Sequence, residues 1–109
     1  MATTYKVLGQ AAPAVATPTT LYTVPSGTQA VVSTISVCNM TGGEIQFRIA
    51  IRPAGEALAA KHYIAYDSKV AGNDTTFITV GVTLSAGDVI TVYEAAENIV
   101  FNAFGSEIN

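Results

Sequence analysis

The chain has 109 residues with a net charge of −3, and charged residues make up 12% of it, about half the ~25% of an average globular domain. That length fits one domain, and a mildly acidic chain with no basic cluster has nothing to attract nucleic acid. No apolar stretch reaches the ~20 residues of a membrane span, MATTYKVLGQ lacks the basic-then-apolar order of a secretory signal, and Cys38, the only cysteine, leaves no internal disulfide.

Residues 1–20 open the chain. Tyr5, Val7 and Leu8 suit a short strand, but GQAAPAVATPTT has no period, and Pro13 and Pro18 bar a regular central strand. The segment predicts an extended arm, separate from a domain over 21–109, that lies along a neighbouring subunit through residues such as Tyr5, Val7 and Val15. From Leu21 the period is two. LYTV ends at Pro25-Ser26-Gly27, and QAVVSTISVCN follows with Val31, Ile35 and Val37 on one side. Asn39 to Gly43 has the composition of a tight connection. In GEIQFRIAIRP the residues Ile45, Phe47, Ile49 and Ile51 face one way, and Glu44, Gln46, Arg48 and Arg52 the other. These two runs predict an antiparallel hairpin.

Pro53-Ala54-Gly55 ends that strand. GEALAAKHY is too short for a stable helix and predicts a turn or loop. HYIAYD predicts a strand with His62, Ile64 and Tyr66 on one face. TTFITVGVTL alternates, with Ile78, Val80, Val82 and Leu84 together. Turns at Ala71 to Asp74, Ser85 to Asp88 and Ala95 to Asn98 separate it from its neighbours and from VITVYE and IVFNAFG. Seven or eight short strands with turns every 8–12 residues predict an all-β, antiparallel two-sheet sandwich of jelly-roll or immunoglobulin-like topology.

The charge deficit is uneven. Val7 to Gly43 and Thr75 to Gly87 hold no Asp, Glu, Lys or Arg. Either Thr, Ser, Asn and Gln solvate this surface, or other subunits cover part of it, since interface cores are depleted of charge.

Chemistry is sparse. His62, the only histidine, shares its predicted face with Ile64 and Tyr66 and has no nucleophile motif beside it. Cys38 has no flanking motif, and a small buried core residue is its usual place. Together the two fall short of a metal ligand set. The eight carboxylates are scattered, and no phosphate-loop or calcium-loop pattern occurs. No enzyme, cofactor or metal is expected. Sugar-binding sandwiches favour exposed Trp, which is absent; five tyrosines are available instead.

The phrases LYTVPSGTQAVVSTISVCN, FRIAIRPAG, KHYIAYD, ITVGVTLSAGDVITVY and FNAFGSEI, in that order over most of residues 20–109, resemble a family of small virion structural proteins of tailed bacteriophages. The resemblance implies a β-sandwich made in the host cytoplasm and built into the virion. A capsid decoration or cement protein, in contact with the major capsid protein or other virion proteins, is the first expectation. A tail, baseplate or fibre-associated component, structural or carbohydrate-binding, is the second. No catalytic residues carry over. Arg48 and Arg52 are then expected to meet carboxylates of another subunit, where a planar guanidinium binds bidentately. Self-association, as a trimer or another ring, is expected from the low charge and from how such proteins sit on lattices.

Overall fold

The alternation of apolar and polar residues becomes eight strands in a computed structural model that describes residues 2–109. They are β1 (Thr3–Ala11), β2 (Thr19–Thr23), β3 (Gln29–Asn39), β4 (Ile45–Arg52), β5 (Tyr63–Val70), β6 (Asp74–Leu84), β7 (Val89–Glu94) and β8 (Ile99–Ile108). Two four-stranded antiparallel sheets result, sheet A in the order β1-β8-β3-β6 and sheet B in the order β2-β7-β4-β5. Every consecutive pair of strands except β4 and β5 therefore changes sheet. This is the order of a jelly roll and not of an immunoglobulin domain.

That order corrects the expected hairpin: β3 pairs with β6 and β8, and β4 with β5 and β7. The connection between β3 and β4 crosses from one sheet to the other, and Asn39 holds the crossing. Its buried amide donates to the carbonyls of Gly43 and Val70 at 2.8 and 3.2 Å, while its Oδ1 accepts from the Thr41 backbone N–H and hydroxyl. The side chain's polar capacity goes into folding the loop over, where a two-residue hairpin would have kept the strands side by side. Gly72 packs beneath, so close that a Cβ would lie 2.5 Å from the Gly42 backbone.

The separate arm is also corrected. Residues 3–11 are β1, an edge strand of sheet A paired with β8 along its length. Its pattern is faint because Leu8 is its one buried residue, with Ala11 only partly buried against the core, and β1 bulges between Val7 and Gly9. The two prolines lie past it, in the crossing segment 12–18.

Apolar side chains of the two inner faces fill the space between the sheets. Ala30, Val32, Ile35 and Val37 of β3 and Ile99, Phe101 and Ala103 of β8 face Phe47, Ile49, Ile90 and Val92 of sheet B, and all are buried. Phe47 and Phe101 meet edge to face at 6.2 Å, and full burial of one such side chain stabilises by roughly 1.5–3 kcal/mol. The expected inner face of β4 and β6 holds. Phe47, Ile49 and Leu84 are buried, and Ile45, Ile51, Ile78, Val80 and Val82 are partly buried against the core. The expected face of β3 needs one correction. A bulge between Val32 and Thr34 inserts an extra residue relative to β8, so Val32 points inward while Val31 lies outside with Ser106 and Thr83.

Candidate interaction surface

The ladder register places the outward side chains of sheet A in rows. One row is Tyr5–Ser106–Val31–Thr83, the next Val7–Phe104–Thr34–Thr79, and the next Gln10–Asn102–Ser36–Phe77. Val100, Cys38 and Thr75 continue the face at one end. No residue in these rows is charged. The charged residues of sheet A strands, Lys6, Asp74 and Glu107, align with the inner positions Gly105, Asn39 and Ala30. Four strands at ~4.8 Å spacing and nine residues at ~3.3 Å give a face of about 600 Å². A standard interface takes about 800 Å² from each partner.

The outer face of sheet B is different in kind. Arg48 lies beside Tyr93, and its Nε donates to Asp67 Oδ1 at 2.7 Å. Its guanidinium carbon stands 4.1 Å from the centre of the Tyr66 ring and 4.6 Å from that of Tyr93. A break in β5 register, with Asp67 at a φ of +52°, brings that carboxylate to Arg48; bulges re-aim side chains in this way. Tyr63 meets Tyr66 edge-on at 4.9 Å. Arg52 donates to the carbonyls of Glu56 and Gly55 at 2.6 and 3.0 Å and to the Thr91 hydroxyl at 3.2 Å, clamping the loop after β4.

Of the residues expected at an interface, Tyr5 and Val7 stand on the outer face of sheet A, 84% and 46% exposed. Val15 lies apart, exposed in the crossing segment. Arg48 and Arg52 are on the other sheet, and their partners are in their own chain, which removes the premise that they await carboxylates of another subunit. Sequence reasoning missed Phe104, Val31 and Phe77. The signal was present: the two uncharged runs supply β3 and most of β6, which pair with each other in sheet A.

His62 is not on a strand. It ends a short 3₁₀ turn (Ala60–His62), buried, with Nδ1 accepting the Ala59 N–H at 3.0 Å and Nε2 3.2 Å from Glu56 Oε1. An acceptor Nδ1 puts the proton on Nε2, which donates to Glu56. Every polar atom of the ring serves the loop. That bond, with Lys61, holds the Glu56 carboxyl below the usual carboxylate range. Cys38, expected in the core, is half-buried on the outer face of sheet A. It is outside because Val37 before it points in. Among the described residues no three His, Cys, Asp or Glu side chains gather as a metal site.

One carboxylate stands alone in the interior. Glu94, opposite Phe47 on the inner face of sheet B, is fully buried, and neither carboxylate oxygen has a hydrogen-bond partner among the described residues. Burial raises its pKa from 4.5 to about 7. Comparison with family models, with curated proteins and with solved structures gives no match.

Proposed function

We propose that the chain is a structural protein of a bacteriophage virion, a capsid decoration or cement protein that stabilises the shell by subunit contacts. The observation that carries this reading is the uncharged outer face of sheet A, four strands wide. A free protein keeps itself soluble with mixed surface charge, whereas a docked one omits charge from the centre of its contact. The resemblance of its strand and turn phrases to small virion proteins supports this class of partner. The major capsid protein is the first choice.

Mass spectrometry and electron microscopy of the purified particle test the proposal. The chain is expected in many copies, with sheet A against the shell. Its absence from the particle overturns the reading. Tyr5→Glu, at an exposed position of that face, is expected to reduce incorporation at least tenfold without changing the thermal midpoint. Unchanged incorporation would assign docking to another surface.

The tyrosine cluster on sheet B favours a second reading, a carbohydrate-binding module of the tail or fibre. Tyr66 is 57% exposed and has Tyr63, Tyr93, Arg48 and Asp67 around it. Glycan-array binding that Tyr66→Ala removes would move the protein to the tail. Binding to the shell alone would retire this reading.

A further inference from the structure

A sheet edge presents N–H and C=O groups that a further strand can satisfy, and proteins guard such edges with charge, proline, shortness or bulges. Three of the four edges here are guarded. β1 carries Lys6 and bulges between Val7 and Gly9. β2 is five residues long, follows Pro18 and has a register break of its own. β5 carries Asp67 and Lys69 and breaks register twice. β6 differs. It has 11 residues, with no charge and no proline from Thr75 to Leu84, and it stays in unbroken register with β3 from Asp74 to Thr79. Its one irregularity, the bulge at Gly81 with a φ of +59°, comes after that stretch. Phe77, in the middle of the stretch, is 68% exposed.

We propose that β6 is a self-association edge: the Thr75–Val80 segment pairs antiparallel with the same segment of a second copy of this chain, Phe77 opposite Phe77. An antiparallel pair of identical strands has a two-fold axis through its centre, so each hydrogen bond is made twice and the contact closes on itself. Charge favours a copy as the occupant. The protein is net negative, yet nothing on Thr75–Val80 repels another copy, whereas β1 paired with itself would bring two Lys6 side chains together. Both Phe77 side chains then lie on the same outer face near the axis, where neighbouring strands bring aromatic residues into contact. The two A sheets become one eight-stranded sheet with a continuous uncharged outer face. The inference does not depend on a virion role, because the edge is read from the chain itself.

Sedimentation of the full chain over a concentration series tests it. The weight-average mass is expected to rise toward twice the monomer value, with amide exchange in Thr75–Val80 slowing as the dimer fills. Thr79→Lys, exposed on β6, is expected to hold the chain at the monomer mass with its thermal midpoint unchanged. Tyr5→Lys, on the same face at the opposite edge, is expected to leave the dimer intact. A monomer at every concentration overturns the proposal, as does a dimer that ignores Thr79→Lys or is lost equally in Tyr5→Lys. Should Thr79→Lys fail to fold, the concentration dependence of amide exchange in the unmodified chain decides: protection confined to other strands overturns the proposal.

Discussion

Glu94 is the least comfortable residue in the molecule. The inward neighbours along β4 are Ile45, Phe47, Ile49 and Ile51, those along β8 are Ile99, Phe101 and Ala103, and the crossing segment 12–18 carries no charge, so no cation among the described residues compensates the carboxylate. In the unfolded chain it ionises near 4.5; folded, near 7. Between those values the folded state binds more protons, so stability falls as pH rises from about 4.5 to about 7 and is level above. Glu107 behaves in the opposite sense. The Tyr22 hydroxyl donates to it at 2.6 Å and Lys6 lies 3.4 Å away, which lowers its pKa; its contribution is lost as pH falls through that lowered value. Thermal melts from pH 4 to 8 are expected to peak near the lower end, and Glu94→Gln to flatten the decline. Glu94→Met is expected to gain roughly 1–3 kcal/mol at pH 8, the cost of an unsatisfied buried group. A melt that is flat with pH in the unmodified chain would mean that Glu94 is solvated. Gly105 is a second sensitive point, because a Cβ there would lie 2.0 Å from the Val31 carbonyl oxygen. Gly105→Ala must push β8 from β3 and is expected to cost at least the ~1–3 kcal/mol typical of overpacking. Urea unfolding measures it.

Among the elements, β1 gives the sharpest prediction. Deleting residues 1–11 strips β8 of a neighbour and removes Leu8 from the core. It is expected to lower the thermal midpoint strongly or to prevent folding; a loose arm could be removed at no cost. The same element shows what the sequence made legible. Strands with one wet and one dry face, such as β4 and β6, announced themselves by strict alternation, and their inner residues were readable. β1 has one buried residue and a bulge, so its alternation never develops. The bulge in β3 reverses the alternation midway, and no glycine or proline near Ser33 marks it. The exchange of sheets between β3 and β4 was hidden for a related reason. Asn39 to Gly43 has the composition of a hairpin turn, and only the buried position of Asn39 reveals its use as a crossover. The face of sheet A was half legible: its lack of charge was plain in the sequence, but which residues share it depends on register.

At the scale of the whole molecule, the two sheets divide the work. Apart from buried Glu94, sheet B holds its charges locally, Arg48 on Asp67 and Arg52 on the carbonyls of the loop after β4, while sheet A turns an uncharged face outward. Arg48→Ala is therefore expected to alter the tyrosine cluster and leave self-association through β6 untouched, which sedimentation of that variant checks. The pairing of the first strand with the last has another consequence. Ala2 and Asn109 exchange hydrogen bonds of 2.7 and 3.0 Å in both directions, so sheet A cannot close until β8 has left the ribosome. Contacts so distant in sequence make folding slow, because a long loop must close before any reward arrives. A circular permutant, with a short linker from Asn109 to Ala2 and new ends in the exposed stretch Glu56 to Ala59, turns the β8–β1 pair into a local hairpin. Stopped-flow refolding of that permutant is expected to be faster than that of the parent chain, with the same strand order reached at the end.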